Sequence, residues 1–379
     1  MGYRRHLAVA GVALALAGRA AAQDPGYRVG IVSESGDIVT WIRPGEGRLA
    51  QEKVIPVGIM PADIDGPHNL AVSPDNRFYY ISIAHGTPFG ALWKMDASSD
   101  TLVGRAPLEM FPTTIGLTPD GELAFVANSD FHGDHPRTNV VTVVHTPTMS
   151  TITHLPACDM PHGVKSNHAG TRVYISCMNS DELLEIEVAT LRIVRRAATG
   201  TGHDMNAMAG MAHGAMPHAP AAQASAPAAA APSGDNSCAP TFVSVSPDDR
   251  TLYAACNHAN SLQVWDAASL TMLKEIPLGA GAYNVEPSPD GRWVIVTNKK
   301  AQSFSLVDAQ SLTEVVRVPT TKKIVHGVAY SPDGRYAFIS QESIGADPGA
   351  VDMFDLDARK VVATLPVPAQ PTGIAILRK

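Results

Sequence analysis

The sequence predicts an all-β fold, a seven-bladed β-propeller with four-stranded blades. The first observation behind this prediction is a turn motif that recurs about every 43 residues, with a short apolar segment on each side of it. A period of about 40–45 residues with four strands per unit is typical of propeller blades. The second observation is an incomplete set of strands at each end of the chain, which together make one further blade.

The recurring turn has the sequence Ser-Pro-Asp-Gly-Arg or a close variant. Proline fixes φ, and glycine or asparagine accepts positive φ, so the motif predicts a tight turn between two strands. Six copies end at Arg77, Glu122, Arg172, Arg250, Arg292 and Arg335. Their spacings are 45, 50, 78, 42 and 43 residues, so the longest interval contains an insertion of roughly 36 residues in an otherwise regular repeat.

Each turn is expected to join the innermost strand of a blade to its second strand. The second strands are predicted at 78–84, 123–129, 173–179, 252–257, 293–298 and 336–341. Two more strands follow in each unit, such as 262–267 and 272–278.

The two ends of the chain supply the seventh blade. Three N-terminal strands are predicted at 27–33, 37–42 and 51–57, and a lone C-terminal strand at 371–377 begins the same blade. The ring is therefore expected to be closed by the N-terminal strands plus the C-terminal strand, which leaves no open sheet edge.

Three second strands contain related sequences, Val294-Ile-Val-Thr-Asn298, Phe125-Val-Ala-Asn128 and Tyr253-Ala-Ala-Cys-Asn257. Over about residues 27–377 the chain resembles the YVTN-repeat propellers. These belong to the superfamily of the nitrous-oxide-reductase propeller and the haem d1 propeller of nitrite reductase. The resemblance implies the fold and leaves the activity open, because propellers carry unrelated functions.

Residues 1–22 have the pattern of a secretory signal peptide, with a basic start, an apolar run and small residues before Gln23. We therefore expect a periplasmic or secreted protein whose residues 23–379 form a single propeller domain without a membrane span. Removal of the leader leaves 26 basic and 36 acidic residues, a net charge of −10. An acidic balance argues against nucleic acid as a partner and is compatible with cations.

Residues 200–237 are interpreted as a flexible insertion between blades four and five, first rich in Met and His and then in Ala and Pro. Thioethers suit Cu(I), and imidazoles suit copper or zinc. The candidate ligands of this segment are His203, Met205, Met208, Met211, His213, Met216 and His218. A low-complexity linker with incidental Met and His is the alternative.

A second group of candidate ligands is predicted at one mouth of the central channel, called the top here. The first residues of the inner strands are expected there, and three of them are histidines, His68, His162 and His326. Loops on the same face carry further candidates, His85, His132, Asp134, His135 and His258. Such a cluster is able to hold zinc or copper. The alternative is that each histidine only bonds a neighbouring carbonyl.

Four cysteines lie in an export context, where disulfides persist. Cys158 and Cys238 each precede an inner strand, whereas Cys177 and Cys256 end the paired second strands. We expect two disulfides, each within one blade, and reduced thiolates that bind copper are the alternative.

These features together predict a monomeric exported propeller that binds a transition metal, copper in preference, for metal binding or delivery to a periplasmic metal-transport or cuproprotein partner. A zinc chaperone-like propeller is the first alternative. A metal-dependent enzyme is a second, although nothing in the sequence names a substrate or a general base. A protein-interaction scaffold without metal is the third.

Overall fold

The computed structural model describes residues 25–58, 65–85, 90–129, 139–200, 237–343 and 346–379. The predicted signal peptide and nearly all of the predicted insertion lie outside these residues. The described residues form seven four-stranded antiparallel sheets, which confirms the predicted propeller.

Blade one combines both ends of the chain. Its strands, from the channel outwards, are β28 (Pro371–Arg378), β1 (Tyr27–Ser33), β2 (Ile38–Gly45) and β3 (Arg48–Pro56). Blade two comprises β4 (Pro67–Val72), β5 (Phe78–Ile83), β6 (Ala91–Asp96) and β7 (Thr101–Pro107). Blade three comprises β8 (Pro112–Leu117), β9 (Leu123–Asn128), β10 (Val140–His145) and β11 (Ser150–Pro156).

The remaining blades follow the chain in the same way. Blade four comprises β12 (Pro161–Ser166), β13 (Arg172–Cys177), β14 (Glu182–Glu187) and β15 (Arg192–Ala198). Blade five comprises β16 (Pro240–Val245), β17 (Thr251–Cys256), β18 (Ser261–Asp266) and β19 (Thr271–Pro277). Blade six comprises β20 (Ala282–Pro287), β21 (Trp293–Asn298), β22 (Ser303–Asp308) and β23 (Thr313–Pro319). Blade seven comprises β24 (Ile324–Tyr330), β25 (Tyr336–Glu342), β26 (Gly349–Asp355) and β27 (Lys360–Val367).

The Ser-Pro-Asp turns are stabilised by their own side chains. In blade six the Ser288 hydroxyl donates to the Asp290 carboxylate and accepts from the backbone N–H of Trp293 at 2.9 Å. Gly291 has a φ of +70°, which a residue without a Cβ adopts at no steric cost. These contacts fix the start of the second strand and hence the register of each inner hairpin.

The hydrophobic core lies between the blades. Seven apolar clusters are present in the described part of the chain, and each joins two neighbouring blades. Second and third strands are buried on both faces, whereas outer strands such as β15 alternate between exposed and partly buried residues. Each blade therefore depends on both of its neighbours for the burial of its apolar surface.

Blades one and two are also linked by a buried carboxylate. Asp100 accepts hydrogen bonds from the Trp41 indole at 3.0 Å and the Tyr79 hydroxyl at 3.2 Å. Lys53 Nζ lies 2.7 Å from its second oxygen, and the Arg28 guanidinium lies 3.3 Å from its first. Because a buried charge is stable only when it is paired and hydrogen-bonded, this arrangement fixes the blade that closes the ring.

Candidate functional site

The top mouth of the channel is lined by one residue from each inner strand, as predicted. Each of these residues lies at a register shift between the inner and second strands. A β-bulge at such a position re-aims the side chain and interrupts the ladder of backbone hydrogen bonds. The seven mouth residues, in blade order, are Thr372, His68, Thr113, His162, Thr241, Tyr283 and His326.

A closed ring of seven hydroxyl groups supports this mouth. In each blade one Ser or Thr hydroxyl donates to the backbone carbonyl of the mouth residue in the next blade, over 2.5–3.3 Å. In blades one, three and five the donor is the mouth threonine itself. In the other four blades it belongs to the second strand, 14 residues after the mouth residue: Ser82, Ser176, Thr297 and Ser340. These four blades are the ones that carry His or Tyr at the mouth.

The three predicted histidines converge and are buried, with exposed fractions of 2% for His68 and 1% for both His162 and His326. The ring centroid of His68 lies 6.4 Å from that of His162 and 5.8 Å from that of His326. Tyr283 lies between the rings of His326 and His162, with centroid distances of 4.8 Å and 5.7 Å, respectively. The mouth is therefore a cluster of four polar aromatic rings.

The hydrogen-bond partners determine which atoms of this cluster carry a proton. Nδ1 of His162 lies 2.8 Å from the Thr241 carbonyl oxygen, which only accepts, so this nitrogen carries a proton. In a neutral ring Nε2 of His162 is then an acceptor, and it lies 3.4 Å from the Tyr283 hydroxyl. Because that hydroxyl has a single proton, it donates to His162 and accepts from Nε2 of His326 at 3.2 Å.

His68 has an acidic partner. Its Nδ1 lies 3.0 Å from the buried carboxylate of Glu34, whose second oxygen lies 3.3 Å from Nε2 of His85. A ring nitrogen that faces a carboxylate carries the proton, which leaves the lone pair of a neutral His68 on Nε2. The structure thus brings His85, a predicted loop ligand, to the same carboxylate as His68.

Charged side chains occupy one arc of the mouth. The ammonium of Lys299 lies 3.2 Å from the Glu342 carboxylate and 4.3 Å from the centre of the Tyr283 ring. Burial, with repulsion from Glu34 and against the attraction of Lys299, raises the pKa of Glu342. Burial lowers the pKa of Lys299, but the combined attraction of Glu342, Tyr283 and Glu34 outweighs it, so the pKa is raised. Burial also raises the pKa of Tyr283 to about 12.

The sequence prediction did not include Glu34, Lys299 or Glu342, although a periodic signal for them exists. Lys299 and Glu342 each follow their mouth residue by 16 positions. The backbone N–H groups of Glu34 and Lys299 both donate to the carbonyl two residues before a mouth residue, Gln370 at 2.9 Å and Gly281 at 2.7 Å. The three charged side chains therefore share one register in blades six, seven and one.

Of the remaining predicted ligands, one lies at the top of a blade and the others lie outside the described residues. The backbone N–H of His258 donates to the Cys238 carbonyl at 3.0 Å, which places it at the top of blade five. His132, Asp134 and His135 lie outside the described residues, as do the seven ligands proposed between His203 and His218.

Within the described residues, one set of three ligand atoms from His, Cys, Asp or Glu lies within 4.8 Å of one another, that of Cys158, Cys177 and Glu182. Its two cysteines form a disulfide, so they are not free to bind a metal ion. Cys238 and Cys256 form the second disulfide, and both predicted pairings are confirmed. The rings of His68, His162 and His326 are neighbours, but their ligand nitrogens do not all lie within 4.8 Å of one another.

Comparisons with known proteins agree with the propeller fold. Residues 241–329 match the family described as "Cytochrome D1 heme domain". A search of curated proteins finds no match. The Kuenenia stuttgartiensis hydrazine synthase is a similar solved structure, with a TM-score of 0.64, 19% identity, and coverage of 84% of this chain and 93% of that chain.

Dihydro-heme d1 dehydrogenase NirN in complex with DHE is a second similar structure. Its TM-score is 0.56 at 18% identity, and the alignment covers 94% of this chain and 76% of that chain. The class defined by fold and site is thus a seven-bladed propeller similar in part to cytochrome d1 haem domains, with a histidine-lined channel mouth. In the described part of the chain, no helix has the length and apolarity needed to cross a membrane.

The rings of the described mouth pack edge to face on one another and on Phe242, whose centroid lies 5.0 Å from that of His162, so a macrocycle does not fit between these rings. The buried carboxylates of Glu34 and Glu342 also outnumber the ammonium of Lys299, which disfavours a haem that carries carboxylates. The same excess of negative charge favours a metal cation.

Proposed function

We propose that this chain is an exported propeller that binds a transition metal ion, copper in preference, at the histidine-lined mouth of its channel. One observation carries the proposal. His162 and His68 both direct Nδ1 to an acceptor, a backbone carbonyl and a carboxylate, so that a neutral ring presents the lone pair of Nε2. Metal-binding histidines are commonly oriented by such acceptors, which also raise their basicity.

Two sequence segments and the disulfides support copper as the metal and the periplasm as the place of action. The segment 203–218 combines four methionines with three histidines, and thioethers bind Cu(I) far better than they bind zinc. The signal-like residues 1–22 and the two disulfides favour an oxidising compartment. Delivery of the ion to a periplasmic transport protein or cuproprotein is part of this proposal, and zinc is the alternative cargo.

The test is competitive titration of the purified protein with Cu(I) and Zn(II), together with three variants. Replacement of Met205, Met208, Met211 and Met216 by Ser is expected to weaken Cu(I) binding at least about tenfold and to leave Zn(II) binding unchanged. His162→Asn is expected to lower affinity at the mouth by at least about tenfold for both ions.

His145→Asn is the matched control, because His145 bonds Thr148 at the opposite face. Its affinities are expected to equal those of the parent protein. Retention of full metal affinity by both His162→Asn and the methionine variant would overturn the proposal, as would the absence of bound metal in the parent protein. A Soret band after addition of haem, lost in His162→Asn, would instead establish the mouth as a haem site.

A further inference from the structure

We propose that Tyr283 is a direct metal ligand, together with His162 and His326, and that its oxygen makes the mouth selective for an oxidised ion, Cu(II) over Cu(I). This inference rests on the proposed metal-binding function. It adds a ligand that is neither a thioether nor an imidazole and predicts the oxidation state that the mouth prefers.

The distances from the Tyr283 oxygen to its two histidine partners match those between ligands of one coordination shell. The Tyr283 oxygen lies 3.4 Å from Nε2 of His162 and 3.2 Å from Nε2 of His326. An ion at about 2.0–2.1 Å from each of four tetrahedral ligands separates those ligands by about 3.3–3.4 Å. The Tyr283 oxygen thus lies from each of the two nitrogens at the distance expected between two ligands of one ion, while hydrogen bonds join the three groups.

The hydrogen bonds show which protons leave when the ion enters. His162 needs no change, because its Nδ1 proton is held by the Thr241 carbonyl. His326 moves its proton from Nε2 to Nδ1, which frees the lone pair that faces Tyr283. Tyr283 releases its hydroxyl proton to solvent, so that one proton leaves for each ion bound and the phenolate oxygen forms the new bond.

One charged neighbour of Tyr283 favours its phenolate form. The ammonium of Lys299 lies over the tyrosine ring, 4.3 Å from its centre, and opposes the negative charge of the phenolate. Phe242 packs against the same ring at a centroid distance of 5.5 Å and shields it from water, which disfavours an unpaired phenolate and makes its formation depend on a bound cation. Because a phenolate is a hard oxygen ligand, it stabilises Cu(II) more than Cu(I).

The decisive experiment is titration of the full chain with Cu(II), followed by visible absorption and electron paramagnetic resonance. The parent protein is expected to show a phenolate-to-Cu(II) charge-transfer band and hyperfine coupling to two imidazole nitrogens. Tyr283→Phe is expected to lose the band and at least about tenfold in Cu(II) affinity, while its Cu(I) affinity stays within about threefold of the parent value.

Tyr330→Phe is the matched control, because Tyr330 is also a buried inner-strand tyrosine but lies at the other end of β24 from His326. It is expected to keep both the band and the affinity. If Tyr283→Phe keeps the parent spectrum and Cu(II) affinity while His162→Asn loses binding, the inference fails and the metal-binding function stands. If the parent protein binds neither Cu(I) nor Cu(II), both fail.

Discussion

The pair of Lys299 and Glu342 shows how single residues set the charge of the mouth. The Glu342 side chain is 4% exposed and that of Lys299 is 21% exposed. A charge in this position is stable only while its partner is present, because each loses most of its hydration. The raised pKa of Glu342 has a further consequence, since its ionisation costs stability as the pH rises from its unfolded value through its folded value.

We therefore expect Lys299→Met to lower the free energy of unfolding at pH 7 by about 3 kcal/mol. The cause is the unpaired Glu342 carboxylate, so the loss is expected to shrink as the pH falls through the pKa of that carboxyl. The double variant Lys299→Met/Glu342→Met removes both charges and is expected to recover most of the loss. Urea denaturation at pH 7 and pH 5 measures this. An equal loss at both pH values, without rescue in the double variant, would show that the pair acts through packing.

At the scale of the element, the inner hairpin of a blade donates a hydroxyl hydrogen bond to the next blade from one of two positions. Where the second strand provides a hydroxyl, as at Ser176 in blade four, its backbone partner is the N–H of Gly163 and its acceptor is the next mouth carbonyl. Where that position is apolar, as at Ala255 in blade five, the mouth residue is Thr241 and supplies the bond itself. A mouth position is thus free to carry His or Tyr only when the second strand supplies the hydroxyl.

This exchange predicts a compensated pair of substitutions. Thr241→Val leaves the Tyr283 carbonyl without the hydroxyl that it accepts from, and is expected to cost about 1–2 kcal/mol of unfolding free energy. Adding Ala255→Ser is expected to restore most of the loss, because the new hydroxyl occupies the register used in blade four. Chemical denaturation of the two single variants and the double variant measures the coupling between them. Strict additivity of the two changes would contradict the exchange.

At the scale of the whole molecule, a repeat with a regular period made most of the architecture predictable. The number of blades, the closing strand and the seven mouth positions all follow from the spacing of the Pro-Asp turns, as does the placement of the paired cysteines. The contacts within the mouth did not follow from it. Whether Tyr283 faces His162 and His326, and whether Glu34 meets His68, depends on side-chain rotamers and on blades distant in sequence.

The closing blade gives the final prediction. Tyr27 pairs with Arg378, and the backbone N–H of Lys379 donates to the Gly26 carbonyl at 2.9 Å, so the two ends of the ring are adjacent. A circular permutant that joins Lys379 to Gly26 through a short linker, and opens the chain between Ala228 and Ala229, is expected to form the same seven blades. Its midpoint of unfolding is expected to equal or exceed that of the parent, because β28 and β1 become a single hairpin with little loop-closure entropy left to lose. Circular dichroism and thermal denaturation, with the unpermuted residues 26–379 as the control, measure this. A permutant that unfolds at a lower temperature would contradict this expectation and show that the linker or the new chain ends cost more stability than the closed hairpin adds.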